Sequence, residues 1–587
     1  MNYNLYDLQK QAEKQGRKTS PLRKMLQLIG GERWNLFFSF VAIIANAAAT
    51  LVGPLLVAYA IDHYIQTKNM HGVWVYSGLL LGVYLIALVA NYLQTRLMGA
   101  IGLRMLYSLR NAVFTKLAAL PVDFFNQNKS GDLISRINND TDKLNQFFSQ
   151  SLMRFLSDII MMVGAGIFLL SINLKLGGAA LVPAVLILLF TRLISPWVKR
   201  KNAASLKSTG GLSGEVQESL TNFKTIIAFN RRDFFRKRFE TANADNYKKA
   251  IGAGLANNLL MPVYSFFTNI AQLVVLSYGI YLIMQGAFTV GFLISFLSYV
   301  NRFYNPLKQL AALWASFQTA LAAWDRIVLI LNLQPDQQQP EAVQTSDSKA
   351  LLSFREVYFN YHNSEDVLEE VSFALERGKT YAFIGPTGGG KSTTAALIAR
   401  LYDPSRGTVF LEGKDIRSFS EEERSKKIGF ILQDPFLFTG TLRDNILYGN
   451  NHFIGLSDQA INQKLAEYHL DVLLEKFDKG LDTRVGSAGE SLSLGQKQLV
   501  AFIRAVLREP EILILDEATA NIDTVTEQLL EDVLQKLPGT TTKVIIAHRL
   551  NTIENADEIF FINAGHLTAA GSMEHAMSML MADNRVS

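Results

Sequence analysis

A run of 52 residues, from Ala250 to Asn301, contains no Lys, Arg, Asp or Glu. Nothing else in the chain limits the fold as strongly, because a charge at the centre of a bilayer costs a few kcal/mol or more, so charge-free runs mark where a chain crosses a membrane. The run holds two spans of roughly 20 residues and a turn, and Gly286-Ala287-Phe288-Thr289 reads as that turn. Residues 34–61 and 69–95 are also uncharged, and each exceeds one span. Two weaker candidates lie between, Ile159 to Leu174 and Leu176 to Thr191. They join near Asn173-Leu174-Lys175 and are extended by turns carrying Arg154, Asp158 and Arg192. The expectation is six spans.

Charge divides the chain near residue 330. Residues 1–330 hold 33 basic and 15 acidic side chains, a balance of +18, and the rest hold 24 and 37, a balance of −13. A greasy basic part and an ordinary acidic soluble part are therefore joined. Seven basic residues in 1–33, seven from Arg96 to Lys143 and twelve from Lys199 to Lys249 contrast with one, one and none in the short turns. That bias places both termini and both long loops in the cytosol. Buried helices of a soluble protein would need six apolar segments and this bias to coincide. Asp7, Glu13 and Glu32 argue against a cleaved leader, and Leu22, Met25, Leu26 and Ile29 suit an amphipathic lead-in helix. Leu103, Leu106, Leu109, Val113 and Leu117 give the first long loop a helical pattern. The spans would then continue as levers, although the same pattern suits a helix lying on the membrane. With no Cys in the chain, disulfides, Cys-bound metal and thiol catalysis are excluded.

Gln334-Pro335-Asp336-Gln337-Gln338-Gln339-Pro340 cannot build a core and reads as a linker. The expected domains are a cytosolic segment 1–33, a transmembrane domain 34–328, a linker 329–350 and a soluble domain 351–587. The soluble domain contains Gly385-Pro386-Thr387-Gly388-Gly389-Gly390-Lys391-Ser392, which fits G-x-x-x-x-G-K-[ST] between an apolar run, Tyr381 to Ile384, and a helical stretch from Thr393 to Leu401. In such a loop glycines turn backbone N–H groups toward phosphate, the lysine reaches the β and γ phosphates, and the serine hydroxyl binds Mg²⁺. Farther on, Ile512-Leu513-Ile514-Leu515 ends in Asp516-Glu517. A continuous apolar run is a buried parallel strand whose carboxyl end faces ligand, so Asp516 would hold Mg²⁺ and Glu517 would polarise the attacking water.

Between and beyond these motifs lie Gln433, Leu492-Ser493-Leu494-Gly495-Gln496, Asp523 and His548, and in this order the set resembles the nucleotide-binding domain of an ABC transporter. With the preceding spans, nearly the whole chain resembles an exporter half-transporter. The fold implied is a six-helix transmembrane domain followed by an α/β P-loop ABC domain. The resemblance implies that Tyr361 stacks on adenine and that Gly385, Thr387, Gly388, Gly390, Lys391, Ser392 and Thr393 bind ATP. Gln433 would sense metal and water beside Ser392 and Asp516. Asp523 would be the D-loop aspartate, and His548 would join Glu517 as a catalytic residue. Phe124-Phe125 through Ser130 to Asp140 resembles the first intracellular loop, and Glu215 to Ser219 the second, so these tips would be coupling helices.

One residue departs from the family pattern. The signature L-S-G-G-Q supplies a serine hydroxyl and glycine amides to ATP held by the opposite subunit; here Leu494 takes its third position, between Ser493 and Gly495-Gln496. A side chain there is expected to restrict the backbone and crowd the phosphate. Such substitutions belong to heterodimeric exporters, so the expected partner is a different half-transporter, favoured over a second copy. The expected activity is ATP- and Mg²⁺-dependent export of a drug or lipid from the lipid bilayer of a bacterial inner membrane. An ATP-gated channel of the same architecture is the alternative. Importers usually keep membrane and ATPase parts on separate chains, and six spans contradict a soluble ABC protein acting on nucleic acid. Asn46, Asn91, Asn269 and Gln272 would line a cavity or join helices to each other.

Overall fold

The computed structural model describes residues 3–14, 32–334, 345, 350–361, 365–486, 489, 491–516, 524–546, 555–571 and 573–583. They form two compact units. One comprises Gln9–Ala118 and Ser130–Asn332; the other comprises Met1–Leu8, Ala119–Lys129 and Leu333–Ser587.

Five helical stretches in the first unit are long and apolar enough to cross a membrane by length and composition: Arg33–Ile65, Met70–Ala118, Ser130–Ile172, Leu174–Thr221 and Arg232–Met284. The expected sixth span is one helix too, Val290–Leu331, but it does not join the five. Ser295, Ser298, Asn301, Arg302 and Asn305 dilute its apolar first half. Several of its polar groups turn toward neighbouring helices rather than lipid. Ser295 donates to the Pro54 carbonyl, Tyr299 to the Leu51 carbonyl at 2.5 Å and Tyr304 to that of Ala180 at 2.7 Å. Gln272 likewise donates to Asn301 at 2.7 Å, so that residue joins two helices.

The turns fall where the polar residues stand. Asn173 caps the helix from Leu174 by accepting from Leu176 N–H at 3.0 Å. The helix Leu260–Met284 ends before Gly286, and Thr289 caps the next one. Asp62 strengthens that cap by accepting from Gly291 N–H at 2.8 Å and the Thr289 hydroxyl at 2.5 Å.

Met70–Ala118 has 49 residues and Leu174–Thr221 has 48. At 1.5 Å per residue each is about 70 Å long, more than twice the hydrocarbon thickness, so the long loops continue the spans. The tip of the second loop needs correction. Glu215 to Ser219, three of them the good helix formers Glu215, Gln217 and Glu218, remain inside the long helix; the chain turns only at Asn222, and the tip is the short helix Phe223–Ala228. In the first loop the tip helix is Val122–Gln127, while Ser130 to Asp140 already belongs to the returning helix. Buried Arg136 bonds Asp132 and the Arg326 carbonyl, each at 2.8 Å, and Arg326 reaches Asp132 at 2.7 Å. This network fastens the return of the first loop to the end of the last helix.

The second unit is an α/β domain. Its strands are β1 (Leu352–Phe359), β2 (Leu368–Leu375), β3 (Thr380–Ile384), β4 (Arg406–Leu411), β5 (Lys414–Asp415), β6 (Ile428–Ile431), the short pair β7 (Gly440–Thr441) and β8 (Arg484–Val485), then β9 (Ile512–Asp516), β10 (Thr542–Ile546), β11 (Glu558–Asn563) and β12 (His566–Ala569). An antiparallel sheet runs β2-β1-β4-β5, and a six-stranded sheet runs β12-β11-β3-β10-β9-β6. The five strands from β11 to β6 are parallel. Alternation of side chains gives this sheet two cores. Tyr381, Phe383, Ile512, Ile514, Val544 and Ile546 enter one, with the antiparallel sheet; Ala382, Ile384, Leu513, Leu515 and Ile545 enter the other, with the helices around Leu494–Val506.

Candidate active site

Parallel strands place their carboxyl ends along one edge, and that edge is where ligands bind in open α/β sheets. Register sets Ile546 of β10 beside both Phe383 of β3 and Asp516 of β9, and Ile431 of β6 beside Leu515. Three expected site segments therefore leave the sheet together: the P-loop after β3, Asp516 at the end of β9 and Gln433 two residues past β6.

Contacts dictate the P-loop's shape. A Cβ on Gly385 would stand 2.0 Å from the Ile562 carbonyl oxygen, so only glycine lets the loop leave β3 beside β11. Gly390 caps the following helix, Lys391–Ile398, at φ +113°, a conformation that side chains rarely adopt. Lys391 is buried, with its ammonium donating to the carbonyls of Gly385 and Pro386, each at 2.9 Å. Thr387 and Gly388 are exposed at the tip. Ser392 donates to the Asp516 carboxylate at 3.1 Å. A hydroxyl and a buried carboxylate side by side are hard oxygen donors of the kind Mg²⁺ takes along with phosphate oxygens, so the residues fit that ion.

On the other side of the loop, Tyr361 is half-buried and its hydroxyl shares a hydrogen bond of 3.1 Å with Thr393. Its ring stands edge-on to Phe359 at 4.8 Å and to Tyr402 at 5.3 Å. Tyr402 was not legible as a site residue, since it follows the P-loop helix with no motif of its own. Asn126 of the first loop's tip helix donates to its hydroxyl at 2.6 Å. Burial pushes that hydroxyl above the ordinary phenol range, Tyr361 adds to the effect, and the bond from Asn126 opposes it.

Ser493 caps the helix Leu494–Val506: its hydroxyl accepts from Gln496 N–H at 3.2 Å while Gln496 Oε1 accepts from Ser493 N–H at 3.0 Å. Leu494 opens this helix, its φ is not positive, and its side chain is 38% exposed. The expected backbone restriction at Leu494 is therefore corrected: as the first helical residue it has a conformation open to any L-residue. Gln433 is exposed. Glu517, Asp523 and His548 lie outside the described residues; Glu517 directly follows β9, and His548 comes two residues after β10.

Residues 36–307 match the family described as ABC transporter transmembrane region, and residues 368–520 the one described as ABC transporter. An uncharacterised ABC transporter ATP-binding protein of Bacillus subtilis is 32% identical over 94% of this chain and 91% of its own length. The chain belongs to the ABC transporter family. It is a half-transporter of the exporter type, an integral membrane protein that hydrolyses ATP in connection with transport. A multidrug resistance ABC transporter ATP-binding and permease protein of Lactococcus lactis is 30% identical over 94% of this chain and 93% of its own. A fatty acid ABC transporter ATP-binding/permease protein of Mycobacterium bovis is 32% identical over 84% and 78%.

Proposed function

We propose that the chain is one half of a heterodimeric exporter that moves a hydrophobic or amphipathic drug or lipid by alternating access. It would act in a bacterial inner membrane through six spans, with the nucleotide domain and both termini in the cytosol. The observation that carries the reading is a shaped phosphate loop, with Ser392 beside Asp516, in one chain with membrane-length helices. Lys391 would bind the β and γ phosphates, Ser392, Asp516 and Gln433 would hold Mg²⁺, and Tyr361 would stack on adenine. Mg²⁺, when bound, neutralises phosphate charge. Glu517 would orient and polarise water, and His548 would contact the γ-phosphate. Ser493, Gly495 and Gln496 would serve ATP on the opposite chain, with Asp523 between the two sites. Leu494 favours a partner with an unaltered signature and a weakened carboxylate after its own β9 counterpart, so that this chain's P-loop and Glu517 complete the competent site.

The relatives named for multidrug resistance and for fatty acids fit an amphipathic cargo. So does Arg302, which stands twelve residues into the last helix, about 18 Å from its start at 1.5 Å per residue. It is half-buried, and among the described residues the titratable groups that reach it are Tyr84 and Tyr299 rather than an acid. A half-buried cation at that depth suits a cargo with a polar end.

In sealed vesicles the assembled transporter should accumulate an amphipathic dye against its gradient only with ATP. Glu517→Gln should bind ATP normally and lose turnover on the order of a hundredfold or more, because an amide cannot polarise the water. ATP-dependent flux that only runs down the gradient would replace the pump by an ATP-gated channel. Near-normal turnover in Glu517→Gln would remove the role given to that carboxylate.

A further inference from the structure

The start of the chain lies in the same compact unit as the nucleotide domain and the first loop's tip helix, Val122–Gln127. Tyr3 and Leu5 are both 1% exposed, Leu5 as the first residue of the helix Leu5–Lys14. The Asn128 side chain accounts for the docking. Its amide oxygen accepts from Leu5 N–H at 3.0 Å, and its NH₂ donates to the Tyr3 carbonyl at 2.9 Å and the Phe124 carbonyl at 2.8 Å. One side-chain amide thus reads the two backbone groups that flank Asn4, as a neighbouring strand would. Gln127 accepts from Tyr3 N–H at 2.8 Å, and the Tyr3 ring stands edge-on to buried Phe124 at 6.3 Å. The Tyr3 hydroxyl donates to the Gln334 carbonyl at 3.2 Å, at the start of the linker. Asn4 caps the helix that follows, with Oδ1 accepting from Tyr6 N–H at 3.0 Å.

We propose that Tyr3-Asn4-Leu5 is a clasp that positions the first loop's tip helix on the nucleotide domain, and that Asn126 and Tyr402 transmit this position to Tyr361. Buried aromatic contact, three backbone hydrogen bonds to side-chain amides and the link to Gln334 hold the tip helix from one side. On the other side Asn126 holds Tyr402 edge-on to Tyr361, whose hydroxyl meets Thr393 of the P-loop helix. A shift of the tip helix therefore moves the floor under the aromatic ring that faces the nucleotide. The transmission half rests on the reading of Tyr361 as the adenine-stacking residue; the clasp itself does not.

Two full-length variants test the clasp in the assembled transporter: Tyr3→Ala with Leu5→Ala, and Asn128→Asp, which keeps the acceptor but removes the donor. Hydrogen exchange in the peptide covering residues 119–129 should speed up about tenfold in both, with exchange over β9 unchanged, since only local opening is altered. If the double variant fails to fold, Asn128→Asp decides alone. Unchanged exchange in the 119–129 peptide overturns the clasp. For the transmission, the KM for ATP should rise about fivefold in Asn128→Asp and in Asn126→Ala while kcat stays within about twofold, a split that a mere loss of folded protein does not produce. Tyr361→Ala should raise KM as well. A raised KM in Tyr361→Ala with none in the other two overturns the transmission. An unchanged KM in Tyr361→Ala removes the adenine reading and the transmission with it, and the exchange result then decides the clasp by itself.

Discussion

Two helices of the nucleotide domain begin at the two motifs expected to meet phosphate, and they begin in opposite ways. The P-loop helix, Lys391–Ile398, is capped by Gly390 with no side-chain hydrogen bond to its first turn. The signature helix, Leu494–Val506, is closed by a full capping box between Ser493 and Gln496. The first turn of any helix has N–H groups that lack a partner inside the helix, and the difference lies in what meets them. At Gly390 no capping side chain meets them, and the loop's shape is held by the Ile562 carbonyl and the buried Lys391 ammonium. At Ser493 one is met within the chain, so the helix start is stable by itself and still has a hydroxyl proton to offer outward. On the proposed function the P-loop would be the part that binds, and the signature start the part presented to the other chain.

That contrast orders the effects of substitution. Lys391→Ala removes the charge partner of the phosphates and should weaken ATP binding about 10- to 100-fold in a nucleotide titration. Unchanged affinity would break the comparison at its first term. Ser493→Ala should leave ATP affinity near normal and turnover of the proposed heterodimer within about two- to threefold, since this signature would complete the partner's weakened site, while lost capping should lower the stability of the domain by about 1 kcal/mol. A large loss of affinity there would mean that the signature start also binds its own chain's nucleotide. Leu494→Gly should have the smallest effect, with turnover of the proposed heterodimer within about twofold, because this signature would face the partner's weakened site and carries no backbone strain to relieve. A rise of severalfold would indicate instead that Leu494 limits a competent site, as it would in a homodimer.

The P-loop, the strand ending at Asp516 and the turns at Asn173 and Gly286 were legible because each depends on residues close in sequence. Glycine, lysine and serine at fixed spacing make one loop, and an apolar run makes one buried strand. The tip of the second loop was misplaced because Glu215 to Ser219 look like a loop by polarity yet include the good helix formers Glu215, Gln217 and Glu218, and the helix ends only at Asn222, whose side chain donates to the Glu218 carbonyl at 3.0 Å. Tyr402, Asn126 and the Tyr3 clasp were invisible for a different reason. The bond from Asn126 to Tyr402 joins residues 276 apart and that from Leu5 to Asn128 residues 123 apart, and no local period records such a pairing. At Leu494 the sequence marks a departure from the family pattern, but only the position at the head of a helix reveals that its backbone is ordinary.

The central claim is that this chain carries both parts of an ATP site, one open and one self-capped, and that a working site takes one part from each of two chains. Native mass spectrometry of the chain expressed alone and with a candidate partner half-transporter, on the samples used for ATPase assays, tests this most directly. Turnover should rise with the fraction of two-chain species and be absent wherever the chain is monomeric. A monomeric species that hydrolyses ATP at the rate of the dimer would contradict the account.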